Sequence, residues 1–257
     1  MNLEYVPLLE IQRDLYRIPR GLGRFNAYIR TMVREDGTDL DRAPLAALNP
    51  MAREHVADLL DALLELGAEV IGSRAASEGS ARLADLEGNL KVGLVVADDR
   101  GGGWTNRVAS EFGFMTGGHS TRDRGWLSGV LWSSESASER SVREAVLVPL
   151  FRWAYIHRHG KARTLAQFMA QEGDAMARAG CLGPTLDDEE LDYTRQILEP
   201  DLGETLPRTI MECLFGDEGG RTLGFTPRGL GHRAGLALAL HQASTRTGVG
   251  PTDPKRP

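Results

Sequence analysis

The chain has 257 residues, 41% of them hydrophobic, 26% charged and 6% aromatic, enough to bury one large core or two smaller ones. Its formal net charge of −6 argues against nonspecific nucleic-acid or anionic-membrane binding as the main task. No apolar run approaches the roughly 20 residues of a membrane span, and MNLEYVPLLEIQRD lacks the build of a secretory signal, so a cytoplasmic location is expected.

Residues 3–34 read as two helical pieces split at Ile18-Pro19-Arg20-Gly21, since Pro and Gly together break a helix. The stretch EDGTDLDRAPLAAL reads as an acidic loop with a turn at Asp36-Gly37. Asn49 is a good N-cap and Pro50 suits the first helical position, so a helix is expected from there. Its stripe is Val56, Leu59, Leu60, Leu63 and Leu66, and Gly67 supplies a left-handed end. A weaker helical segment runs to about Leu86.

Val92–Ala97 is a short apolar run that reads as a strand and ends in Asp98-Asp99. Trp126–Trp132 reads as a second strand, whose alternation fits one buried face and which can pair with the first. Ser136-x-x-Glu139 and Ser141-x-x-Glu144 match capping boxes before a helix lined by Val142, Val146, Leu150 and Trp153, with Pro149 expected to kink or restart it. Thr164-x-x-Gln167 caps a helix with Leu165, Phe168, Met169 and Met176 on its buried stripe, ending at Gly180. Asp187-Asp188-Glu189-Glu190 opens another, the carboxylates read as capping rather than metal binding. A helix around Ile210, Met211 and Leu214 ends at Gly216, and one from about Leu230 to Ala243 is apolar nearly all round, hence central.

The fold class expected is mainly α (α+β): one helical domain over residues 1–245 with a small two- or three-stranded sheet around residues 91–133, and a disordered tail over 246–257.

Between the two strands lies the stretch with the densest chemistry. Gly101-Gly102-Gly103-Trp104-Thr105-Asn106-Arg107 is not a P-loop, because the Gly-Lys-Ser/Thr ending is absent, and Asn106 stands where Gly-x-Gly-x-x-Gly needs its third glycine. Glycines such as Gly102 and Gly103 still let a backbone approach a ligand, and amides at a helix start hold anions. Asp98 and Asp99 are candidates for acid–base work, substrate orientation or Mg²⁺. Alternation at a strand end aims them to opposite sides. Trp104, Asn106, Arg107 and Arg122 are candidate ligand contacts, with Arg107 as an anion clamp, and His119 a hydrogen-bonding or proton-transfer group. The bland alternative is an acidic turn, since Asp-Asp-Arg-Gly-Gly is ordinary turn composition.

Glu172 occupies the stripe of Phe168, Met169 and Met176, where a carboxylate must be paired, protonated or facing a polar cavity. A salt bridge to Arg152 of the neighbouring helix is the favoured reading, and a general acid or base the other. A metal has little support from spacing. His157 and His159 are two apart, His232 and His241 nine apart, no His-Glu-x-x-His occurs, and Cys181 and Cys213 stand alone. His157 shares the stripe of Val146, Leu150 and Trp153, which reads as a core or interface position. No cofactor is indicated beyond a divalent metal on the aspartates. The leading functional expectation is an enzyme acting on a small polar or anionic molecule at the 98–124 loops. The other is a non-catalytic helical binding or assembly protein, and the oligomeric state is open.

Overall fold

The apolar run that ends at Asp98 is the central strand of a three-stranded parallel sheet. In the computed structural model, which describes residues 1–33, 37, 39–100, 105–117 and 124–247, strand β1 (Asn2–Tyr5) pairs with β2 (Asn89–Ala97), and β2 pairs with β3 (Trp126–Trp132), in the order β1-β2-β3. Leu3 lies opposite Leu90, and Lys91 through Ala97 match Trp126 through Trp132 one for one. Parallel strands covered on both faces read as continuous apolar runs, and β2 is buried without interruption from Val92 to Ala97. Leu127 and Leu131 are buried as well as Trp126 and Trp132, so β3 has two buried faces rather than the single one that its alternation suggested.

Ten α-helices occur among the described residues. These are α1 (Leu9–Arg17), α2 (Leu22–Met32), α3 (Glu54–Glu65), α4 (Ala68–Ala81), α5 (Arg107–Met115), α6 (Glu139–His159), α7 (Leu165–Ala179), α8 (Asp188–Leu198), α9 (Pro207–Arg221) and α10 (Ala234–Thr247). None is long and apolar enough to cross a membrane. The contacts divide the chain into two compact units, residues 1–106 with 118–150 and residues 107–117 with 151–257, the division falling inside α6.

The first unit holds the sheet. Residues 3–5, expected to be helical, form β1 instead. Pro7 biases Val6 away from helical angles, and the Val6 amide joins the ladder by donating to Val92 O at 2.8 Å. Asn49 does not cap α3, which starts five residues later at Glu54, behind a 3-10 turn over Ala43–Ala47. Gly67 does adopt the left-handed conformation, φ 76°, between α3 and α4. The start of α6 also differs: Ser138 Oγ accepts from the Ser141 amide at 3.0 Å, which makes Ser138 the capping residue in place of Ser136 or Ser141. At Gly129 a Cβ would stand 2.9 Å from Ala145 O, so β3 and α6 touch through backbone.

The second unit is helical. Phe112, Leu165, Phe168, Met169, Met176, Leu214, Phe215 and the buried face of α10 form its core. The capping boxes Thr164/Gln167 and Asp187/Glu190 are both formed. α9 breaks rather than ends at Gly216, whose φ of 72° and ψ of −174° let Gly231 O approach to where a Cβ would be 1.9 Å away. α7 and α10 meet at Gly173, where a Cβ would lie 2.4 Å from Ala239 O.

That contact gives the first prediction. Gly173→Ala forces the two helices apart and lowers stability by about 1–3 kcal/mol, the usual cost of overpacking. Gly113→Ala, on an α5 face with nothing within 4 Å among the described residues, raises it by about 0.5–1 kcal/mol through helix propensity. Paired thermal and urea unfolding of the two variants checks the opposite signs.

Candidate functional site

In sheets built from parallel strands, ligands gather at the carboxyl ends, and in the first unit the polar side chains converge there. Asp98 follows the last residue of β2 and is only 4% exposed. A carboxylate buried so far is tolerable only with donors around it. Its Oδ1 accepts from His55 Nε2 at 2.9 Å, Ser133 Oγ at 3.1 Å and the Arg100 amide at 3.3 Å, and its Oδ2 accepts from Asn49 Nδ2 at 3.0 Å. Burial alone raises a carboxyl pKa. The bonds from His55, Asn49 and the Arg100 amide outweigh it and hold Asp98 below the usual carboxylate range. Asp98 is therefore an ionised acceptor at neutral pH. The facing His55 nitrogen, Nε2, must carry a hydrogen, which leaves Nδ1 as the nitrogen able to accept a proton.

Each partner is delivered by a different piece of chain. His55 sits in the first turn of α3, off the buried stripe of Val56, Leu60 and Leu63, and its side chain is 26% exposed. Asn49 turns its amide group both ways, its Oδ1 accepting from the Met51 amide at 2.9 Å. Ser133 follows β3, in register beside Asp98, because the one-for-one pairing of β2 and β3 brings both strand ends together. Asp99 lies against the same serines: its Oδ1 accepts from the Ser134 amide at 2.9 Å and from Ser133 Oγ at 3.1 Å, and its Oδ2 from Ser134 Oγ at 2.7 Å. Asp98 and Asp99 thus both reach Ser133, contrary to the opposite aim expected from strand alternation. The strand ladder has ended by then, and the chain turns. A hydroxyl has one hydrogen, so Ser133 donates to one carboxylate at a time.

No family model, curated protein or solved structure matches this chain.

Among the other candidates named from the sequence, Gly102, Gly103, Trp104, His119 and Arg122 lie outside the described residues. Asn106 closes the first stretch of the first unit and is partly buried. Arg107 opens α5 in the second unit, with Nε 2.7 Å from Glu111 Oε1, and Glu111 also binds Arg233 through Oε2 at 2.6 Å. Burial opposes the charge on Glu111, while Arg233 and Arg107 hold its pKa below the usual range. Glu172 forms the salt bridge expected with Arg152, whose Nε and Nη2 donate to it at 2.8 and 2.7 Å, and Gln171 Nε2 adds a bond at 2.9 Å. At 1% exposure in the second unit, Glu172 has both oxygens engaged within the protein. His157 is exposed and stacks on Trp153 at 5.2 Å, so of the core or interface position its stripe suggested the core alternative does not hold. The described residues hold no group of three or more His, Cys, Asp or Glu fit for a metal ion.

The site residues that sequence reasoning missed are His55, Asn49, Ser133 and Ser134. Asn49 has the local pattern of a helix cap, and His55 belongs to no motif. The available signals were a histidine off an apolar stripe in a helix's first turn and a serine pair closing a strand beside an acidic pair.

The depressed Asp98 pKa fixes a sign for acid unfolding. The unfolded chain takes up the proton first, near the ordinary value of about 4. The stabilisation from Asp98 is complete above that range and is lost as pH falls through the lower folded value. Asp98→Asn should lower stability at pH 7 and flatten its decline between about pH 5 and 2, measured by urea unfolding across that range.

Proposed function

We propose that this chain is an enzyme acting on a small polar molecule at the carboxyl ends of β2 and β3, with His55 transferring protons and Asp98 holding and polarising its ring. The observation that carries this reading is the 2.9 Å contact between His55 Nε2 and an ionised, buried Asp98 oxygen. A carboxylate fixed behind an imidazole sets its tautomer and stabilises the imidazolium that forms when the far nitrogen takes a proton, the device used by many general acid–base catalysts. Ser133 Oγ contacts the carboxylates, so the group is read as an acid–base pair rather than a nucleophile triad.

Asp99, with Ser134, is assigned to orienting substrate at the open end of the site, Ser134 being exposed. Two aspartates side by side favour a neutral or cationic substrate. An anionic one would call on Arg100 or Arg122 of the same unit. His119, Trp104, Gly102 and Gly103, which fall between Asp98 and β3 in the sequence, are proposed as further substrate contacts. A cytoplasmic setting belongs to the same reading.

The second reading is a non-catalytic binding or assembly protein. It is favoured by the fact that the bonds to Asp98 tie four separate pieces of the chain together, as a purely structural carboxylate would.

Incubating the protein with a pool of small polar metabolites, and following each by mass spectrometry, separates the two readings. The enzyme reading expects at least one compound to be consumed by the natural chain and at least roughly 100-fold more slowly by His55→Gln, the scale of a lost general base. It also expects His55→Gln to keep its cooperative unfolding. Consumption that is unchanged by His55→Gln, or no consumption of any compound, transfers support to the binding reading.

A further inference from the structure

We infer that one face of α1, through Gln12 and Tyr16, is the positioning element of the Asp98–His55 pair. This inference rests on the reading of that pair as functional and adds residues from an element outside the pair's direct contacts.

The reason begins in the ladder of β2. Its odd-numbered residues bond towards β3: the Lys91 amide donates to Gly125 O at 2.7 Å, and Ala97 O accepts from the Ser133 amide at 2.9 Å. Its even-numbered residues face the β1 side, where Val92 O accepts from the Val6 amide at 2.8 Å. β1 stops at Tyr5, so the last even residue of β2, Val96, has no strand beside it on that side among the described residues. Buried N–H and C=O groups left there would each cost a hydrogen bond. Gln12 supplies both partners. Its Nε2 donates to Val96 O at 2.8 Å, and its Oε1 accepts from the Val96 amide at 2.8 Å. The side-chain amide, fully buried, imitates the missing strand residue two positions before Asp98.

Tyr16 lies one helical turn after Gln12, on the same face of α1. Its hydroxyl donates to Asn49 O, the backbone of the residue whose side chain holds Asp98 Oδ2. Burial, reinforced by the Asp98 charge, raises the phenol pKa, which keeps the hydroxyl a neutral donor. Arg24 locks the same loop. It is 8% exposed, packs over the Tyr16 ring at 5.1 Å, and donates to Ile18 O at 2.7 Å and to Pro50 O at 3.4 Å. Two side chains four residues apart therefore fix the strand end that carries Asp98 and the loop that presents Asn49. Neither touches His55, so their effect on the pair is one of placement.

The test uses the full chain labelled with nitrogen-15 and reads the His55 imidazole N–H proton by NMR, assigned by its loss in His55→Gln. A proton donated to a buried carboxylate exchanges slowly with water. Asp98→Ala should abolish that protected signal. Tyr16→Phe and Gln12→Met should keep it but speed its exchange roughly tenfold, the scale of one lost hydrogen bond. Leu83→Ala, which truncates a fully buried side chain outside this hydrogen-bonded network, should lower the Tm and leave the exchange rate unchanged. If Gln12→Met does not fold, Tyr16→Phe carries the test. Unchanged exchange in Tyr16→Phe, or equal acceleration in Leu83→Ala, overturns the inference while leaving the pair intact. A signal that survives Asp98→Ala, or no protected signal in the natural chain, overturns the pair itself and this inference with it.

Discussion

A carboxylate that is 4% exposed at the end of a buried strand keeps its charge only if protein donors replace the water it has lost. In the first unit that requirement organises the local chain. Asp98 draws a side chain from the loop after the 3-10 turn, one from the first turn of α3, one from the end of β3 and an amide from its own turn. Remove the charge and four segments lose a shared acceptor at once. The same economy of donors explains Asp99, which takes the Ser134 amide and hydroxyl immediately beside it. Both aspartates stand where parallel strands end, the place at which backbone groups and side chains from separate segments naturally converge.

The second unit meets burial of charge by a different route. Arg152 and Glu172 neutralise each other with a two-pronged contact inside the helical core, and Arg107 and Arg233 share Glu111. Such pairs are costly to break and contribute little over an apolar substitute, so they read as solutions to burial. Gln171 Oε1 is buried without a partner among the described residues, while its Nε2 serves both Met115 O and Glu172.

How much of this was legible in the sequence follows from the range of each interaction. β2 and β3 were legible because runs of Val, Leu and Trp at strand length carry their own signal, and the mainly helical class followed from stripes at helical spacing. Local caps were legible where the bonds stay within four residues, as at Thr164/Gln167 and Asp187/Glu190. β1 was missed because a strand of four residues has no period of its own and exists through its pairing with β2. At the candidate site, Asp98 and Asp99 stood out as charges ending an apolar run. Asn49 and His55 did not, because they meet Asp98 across sequence separations of 49 and 43 residues. The salt bridge of Glu172 was legible for the opposite reason: a charge on an apolar stripe demands a partner, and Arg152 was the arginine at hand.

The central claim is that Asp98 is ionised and held by its donors well beyond what burial alone allows. Following the Asp98 carboxyl carbon by carbon-13 NMR through an acid titration tests it directly, with Asp98→Asn to assign the signal. The account predicts a midpoint below the ordinary carboxylate value of about 4, moving upward when His55 is replaced by Gln. A midpoint at or above that value, or one indifferent to His55, would contradict it.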